Sequence, residues 1–147
     1  MESAFEKLLV HLIENEIEFL VVGGLAVALN GYPRMTEDVD IWINPRPENI
    51  QNLLRALASY GEGFGGTLSP EDFVDEPGAI RVIEEFPIDI FVQMNGISYA
   101  EIHQHRKIHK TALVSIPYVD AEGLIRIKSG SHREKDILDV SILNKLK

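Results

Sequence analysis

Gly23-Gly24-Leu25-Ala26-Val27-Ala28-Leu29-Asn30-Gly31-Tyr32-Pro33-Arg34-Met35-Thr36-Glu37-Asp38-Val39-Asp40-Ile41-Trp42-Ile43 is the stretch on which the fold turns. It starts where the strand-forming run Phe19-Leu20-Val21-Val22 meets a double glycine, and it ends in two carboxylates one residue apart that open a second apolar run. In an extended strand alternate side chains share a face, so Asp38 and Asp40 project side by side while Val39, Ile41 and Ile43 turn to the core. Two like charges that close repel unless a cation lies between them, which points to a divalent metal. Hard oxygen ligands favour magnesium or manganese over zinc. The pair also suits a plainer reading, in which Asp38 caps a turn and Asp40 is the polar half of a half-buried strand.

At the other end, Gly23-Gly24 follows a strand and precedes a short helix over 25–29. Glycines there let the backbone approach a ligand, and a helix start carries partial positive charge, so the turn suits a phosphate as well as it suits an ordinary strand-to-helix bend. Metal-binding carboxylates and a phosphate-cradling turn joined by a short helix suggest nucleotide chemistry. The stretch resembles the nucleotidyltransferase superfamily with the DNA polymerase β-like fold, marked by a Gly-Gly or Gly-Ser turn, a short helix, then D-x-D or D-x-E. Arg34, Thr36, Asp38 and Asp40 look like the R-x-T-x-D-x-D form of a small bacterial branch related to abortive-infection and toxin–antitoxin nucleotidyltransferases.

The resemblance demands a third carboxylate on a later strand. Asp89 stands in Pro87-Ile88-Asp89-Ile90-Phe91-Val92, a single charge in an apolar run, and a buried carboxylate there must find a cation, a hydrogen bond or solvent. A metal shared with Asp38 and Asp40 satisfies it; a solvent-facing position on an edge strand is the other reading. Near the C-terminus, Lys128-Ser129-Gly130-Ser131-His132-Arg133-Glu134-Lys135-Asp136-Ile137-Leu138-Asp139 looks like the K-x(n)-R-x-K-D-x-x-D signature of the same branch. By that resemblance Gly23, Gly24, Arg34, Thr36, Lys128 and Arg133 bind nucleotide phosphates, with Lys135 a further base, and Asp136 and Asp139 cap, pair or orient these bases. Basic residues merely solvating a helix end would look the same.

The remaining chain supplies a scaffold. Helical periodicity marks 3–16 and 47–60, the latter opened by Pro47. Residues 61–66 hold four glycines and read as a loop, with a short helix expected after Ser69-Pro70. Strands are expected at 18–22, 38–44, 79–84, 88–92 and 111–119, with a hairpin as one option around Glu85-Phe86-Pro87. A helix over 98–106 would carry His103 and His105, with His109 following; no acidic partner of zinc-site form accompanies them, so they read as polar surface. Asp120 caps a further helix, and a last one runs from 133 to about 146 with Ile137, Leu138, Ile142 and Leu146 as its core face. The expected fold is α/β (α+β), the nucleotidyltransferase fold, with a central mixed β-sheet of about five strands flanked by helices, in a single domain over 1–147.

Composition narrows the function classes. The 147 residues are 45% hydrophobic and 25% charged, as in an ordinary globular protein. No apolar run reaches the ~18 residues needed to span a bilayer, and the acidic start does not look like a signal peptide. A cytoplasmic location without membrane contact is the expectation. The absence of cysteine excludes disulfides and thiolate metal sites. The net charge of -9 argues against a broad nucleic-acid footprint, although the basic residues gather in the last third. The resemblance implies transfer of a nucleoside monophosphate from a nucleoside triphosphate such as ATP to a hydroxyl acceptor, releasing pyrophosphate. Asp38, Asp40 and Asp89 would hold two magnesium ions, with manganese as a substitute, and Asp89 would also take the hydroxyl proton. The acceptor is a tRNA or other RNA end, a partner protein or a small molecule, and a homo-oligomer or cognate partner protein would complete a short cleft. The alternative is a non-catalytic nucleotidyltransferase-like binding partner in a toxin–antitoxin pair.

Overall fold

The first two strands, β1 (Phe19–Val22) and β2 (Val39–Ile43), pair antiparallel and set the centre of the molecule. The computed structural model describes residues 1–129 and 133–147, the side chains of Glu134 and Lys135 excepted. The expected break at Gly130 and Ser131 and the proposed base Lys135 therefore lie outside what is described. All four residues of β1 are buried, as are Val39, Ile41, Trp42 and Ile43 of β2, so both faces of the central strands are covered. The Trp42 indole donates to the Val92 carbonyl at 3.0 Å, which satisfies its one polar atom inside the core.

Four more strands complete one mixed sheet: β3 (Ala79–Ile83), β4 (Pro87–Phe91), β5 (Arg106–Lys110) and β6 (Ser115–Val119), in the spatial order β3-β4-β2-β1-β6-β5. β4 runs parallel to β2 and β6 parallel to β1, while β3/β4 and β5/β6 are antiparallel pairs. The sheet thus has six strands where about five were expected. The additional one, β5, lies between the helix expected over 98–106 and the strand expected over 111–119, in residues assigned to neither apart from Arg106. That helix is one turn, α4 (Tyr99–Ile102), closed by Ser98 accepting from the Glu101 amide, and a tight turn over His103–His105 leads directly into β5.

The helices are α1 (Ser3–Glu14), α2 (Gly23–Leu29), α3 (Pro47–Ala58), α5 (Ala121–Lys128) and α6 (Glu134–Leu146). The stripe Phe5, Leu8, Leu9 and Leu12 of α1 is buried, and His11 reaches the Ala56 carbonyl of α3 at 2.6 Å. Asp120 caps α5 by accepting from the Gly123 amide at 2.8 Å. The expected core face of α6 is observed only in part: Leu146 packs against the core, but Ile137 and Leu138 are 57% and 58% exposed, whereas Asp139 and Leu143 are 3% and 0% exposed. These two stand four residues apart on one helix face. The helix is turned to carry a carboxylate inward because two cations wait there.

Candidate functional site

Strand register brings the carboxylates together. Asp40 of β2 is the neighbour of Asp89 on parallel β4, and Val22, the last residue of β1, is the neighbour of Asp40, so the Gly23 bend lies beside it. Asp38 shares the face of Asp40 two residues earlier. One ligand oxygen from each of Asp38, Asp40 and Asp89 can be chosen so that all lie within 4.8 Å of one another. Asp89, 6% exposed, is the buried member. The reading of Asp89 as a solvent-facing edge residue does not hold, because β3 covers β4 on its outer side.

A cation already stands at this cluster. Arg81 of β3 is the cross-strand neighbour of Asp89, and its guanidinium donates through Nε and Nη2 to the two Asp89 oxygens at 2.8 Å each. Its Nη2 also lies 3.5 Å from Asp38 Oδ2. The hydrogen bonds and charge of Arg81 hold the Asp89 carboxyl below the usual carboxylate range against the opposing effect of burial. Asp89 in turn pushes the Arg81 guanidinium further up. Sequence reading missed Arg81. A hairpin with its turn centred on Glu85 would have placed the two residues opposite each other, which is the signal that was available.

Around the cluster opens a cavity of about 460 Å³ lined by Gly23, Gly24, Asp38, Asp40, Asp89 and Arg81, by Lys128, Arg133, Asp136 and Asp139 from the C-terminal helices, and by Phe91 and Asn95 among others. Gly23 has a φ of +65°, and a methyl group there would run into the Asp40 carboxylate, with its Cγ 2.7 Å away. The glycine is needed both for its backbone conformation and for the close approach of the acid.

An α/β chain of this topology has known counterparts. No protein-family model matches the chain, and no curated protein does. Among solved structures it is similar to the lincosamide antibiotic adenylyltransferase LnuA with lincomycin bound, at 18% identity and a TM-score of 0.68 over 100% of this chain and 98% of that one. An antigenic nucleotidyltransferase-like protein from Paracoccidioides brasiliensis matches at 20% identity and a TM-score of 0.57, over 92% and 71% of the two chains. A Thermotoga maritima protein proposed to be a nucleotidyltransferase matches at 15% identity and a TM-score of 0.53, over 97% and 86%. The chain has the nucleotidyltransferase fold.

The sequence-selected phosphate residues separate into two groups. Gly23, Gly24, Lys128 and Arg133 line the cavity with the three aspartates. Arg34 and Thr36 line a different depression with Met1, Phe5 and Pro33. The Thr36 hydroxyl donates to the Asp38 carbonyl at 3.0 Å, and Arg34 donates to Asp139 at 2.8 Å. Asp139 thereby bridges two cations, since its Oδ2 faces Lys128 Nζ at 3.2 Å as an ion pair without hydrogen-bond alignment. Lys128 is also 3.0 Å from Asp136, and Arg133 stands 3.9 Å from the same carboxylate. His105 lies 3.2 Å from Asp120, and His109 sits on β5.

Proposed function

We propose that this protein is a metal-dependent nucleotidyltransferase that moves a nucleoside monophosphate from a nucleoside triphosphate to a hydroxyl acceptor. The observation that carries the reading is the meeting of Asp38, Asp40 and Asp89 beside the Gly23 bend, with oxygens within 4.8 Å of one another. A magnesium or manganese site fits these residues. The donors are hard carboxylate oxygens, and the guanidinium resting against two of them shows that the cluster calls for positive charge. Asp38, Asp40 and Asp89 are the residues that would hold the metal, which when bound would neutralise phosphate charge and lower the pKa of a ligated hydroxyl.

The acceptor oxygen forms a bond to the α-phosphorus as the bond to the bridging oxygen breaks, and pyrophosphate leaves with that electron pair. Asp89 would receive the hydroxyl proton on Oδ1 or Oδ2. While Arg81 holds both oxygens, Asp89 is a weak base, and proton transfer needs that fork to loosen. Gly23 and Gly24, in the first turn of α2 where N–H groups lack helical partners, line the same cavity, and their amides would suit phosphate oxygens. Lys128 and Arg133 line the same cavity and would add positive charge there. Thr36 and Arg34 act one step back, Thr36 by holding the chain at Asp38 and Arg34 by holding Asp139.

A small hydroxylated acceptor is the class the cavity suits best. Its volume of about 460 Å³ lies in the range of small-molecule sites. The name of LnuA, which matches along nearly its whole length, specifies a lincosamide antibiotic. The net charge of -9 disfavours an extended RNA acceptor. The test is incubation with each of the four α-labelled triphosphates and magnesium, with lincosamides, aminoglycosides, RNA and cell lysate offered in turn. The expected result is label transfer with pyrophosphate release, lost on chelation and in Asp38→Ala/Asp40→Ala. Triphosphate binding without any pyrophosphate, across all acceptors, would reduce the protein to a binding module.

A further inference from the structure

Arg81 is a cation of the cleft to which the proposed reaction gives no role as ligand, base or phosphate contact. Its two donors fill both oxygens of Asp89 in the planar fork that guanidinium and carboxylate form best, and the same Nη2 leans to Asp38. Two of the three carboxylates needed for a metal are thus engaged by a protein cation. The Arg81 side chain is 53% exposed, in contrast to 9% for that of Asp89, so one partner is fixed in the sheet and the other is half in solvent. Gly78 lines the cleft beside it, and among the described residues nothing stands within 4 Å of where its Cβ would be. Solvent already reaches the half-exposed Arg81 side chain.

We infer that Arg81 is a resident counter-ion of the carboxylate cluster, exchanged when a divalent cation enters, so that it sets the metal affinity of the site. The inference rests on the metal reading given above. Without metal, three converging carboxylates need compensation, and Arg81 supplies it from within the chain. With metal, a fixed positive charge at Asp38 and Asp89 repels the incoming cation and competes for its ligand oxygens. The fork must then open, which leaves the guanidinium in the cleft as a group suited to phosphate. A purely structural ion pair would behave otherwise, since its removal would weaken the site by leaving Asp89 unsupported.

The test is titration with Mn²⁺ alone, followed by electron paramagnetic resonance of free Mn²⁺, on wild type, Arg81→Gln and Arg81→Lys, with Asp38→Asn as the reference for non-specific binding. The expected result is Mn²⁺ binding roughly tenfold tighter in Arg81→Gln than in wild type, with Arg81→Lys between them because it keeps the charge and loses the fork. Equal or weaker binding in Arg81→Gln would overturn the exchange while leaving the metal site standing. No binding above the Asp38→Asn reference in any variant would overturn the metal reading and this inference together. A second readout needs no variant: the Arg81 Nε–H nuclear magnetic resonance signal of wild type should shift on saturation with Mg²⁺, and a signal that stays in place as Mg²⁺ binds would also overturn the exchange.

Discussion

Gly23 shows how narrowly the site is specified at the scale of one residue. It has to turn the chain out of β1 at positive φ and leave room for the acid of the neighbouring strand, with Asp40 Cγ only 2.7 Å from where a Cβ would be. An alanine would strain the backbone by about 1–2 kcal/mol and push the Asp40 carboxylate out of the cluster. Gly23→Ala should therefore lower the urea midpoint modestly and reduce Mn²⁺ binding severely, the second effect being out of proportion to the first. Unchanged Mn²⁺ binding in a folded Gly23→Ala protein would mean that Asp40 does not need its present position. Thr36 makes the complementary point, since a residue selected from sequence as a phosphate ligand holds the backbone at Asp38 through a 3.0 Å hydrogen bond.

Among the elements, α6 carries the clearest energetic consequence. Its inward face presents Asp139, whose oxygens meet Arg34 at 2.8 Å and Lys128 at 3.2 Å, so one carboxylate ties the last helix to the Gly31–Thr36 region and to the end of α5. Removing it leaves two cations partly buried, at 19% and 15% side-chain exposure. Asp139→Ala should destabilise the protein by less than the ~3–5 kcal/mol of a fully buried pair, because both cations retain some water. It should also raise the KM for nucleoside triphosphate, since Lys128 lines the cleft. Chemical denaturation of Asp139→Ala and Asp139→Asn, with Leu143→Ala as a packing control, would separate charge from helix docking; equal losses in Asp139→Ala and Asp139→Asn would locate the effect in the charge. The sequence concealed this arrangement because Ile137, Leu138 and Ile142 form the more apolar stripe, and a helix chooses its face by what it meets. β5 was hidden for a related reason: Arg106-Lys107-Ile108-His109-Lys110 is an edge strand with four of five residues exposed, so it lacks the apolar run that betrays β1, β2 and β4. The central strands and the convergence of Asp38, Asp40 and Asp89 were legible, because burial on both faces and D-x-D spacing are local properties. Arg81 was not, because its meaning comes from cross-strand register.

At the scale of the whole molecule, alkaline pH should limit stability through its tyrosines. Burial raises Tyr60, Tyr99 and Tyr118 above the usual phenol value, with Tyr99 pushed up to about 12 and the nearby Glu18 charge acting in the same direction. A phenol whose folded value exceeds its unfolded value of 10.0 stays protonated in the native state while the unfolded chain has already lost the proton. The unfolded state then binds fewer protons, so unfolding free energy falls as pH rises. The contribution is fully present below about pH 10 and is lost progressively toward pH 12. The net charge of -9 adds to this fall, because each ionising phenol joins an already negative molecule. Urea midpoints measured from pH 8 to 11.5 should therefore stay level and then drop above about 10. In Tyr99→Phe the drop should be shallower, with the plateau little changed, since phenylalanine keeps the ring and has no proton to lose. A Tyr99→Phe curve parallel to wild type above pH 10 would assign the alkaline loss to general charge repulsion, and ultraviolet absorbance of the ionising phenols would then show Tyr99 titrating near its unfolded value of 10.0.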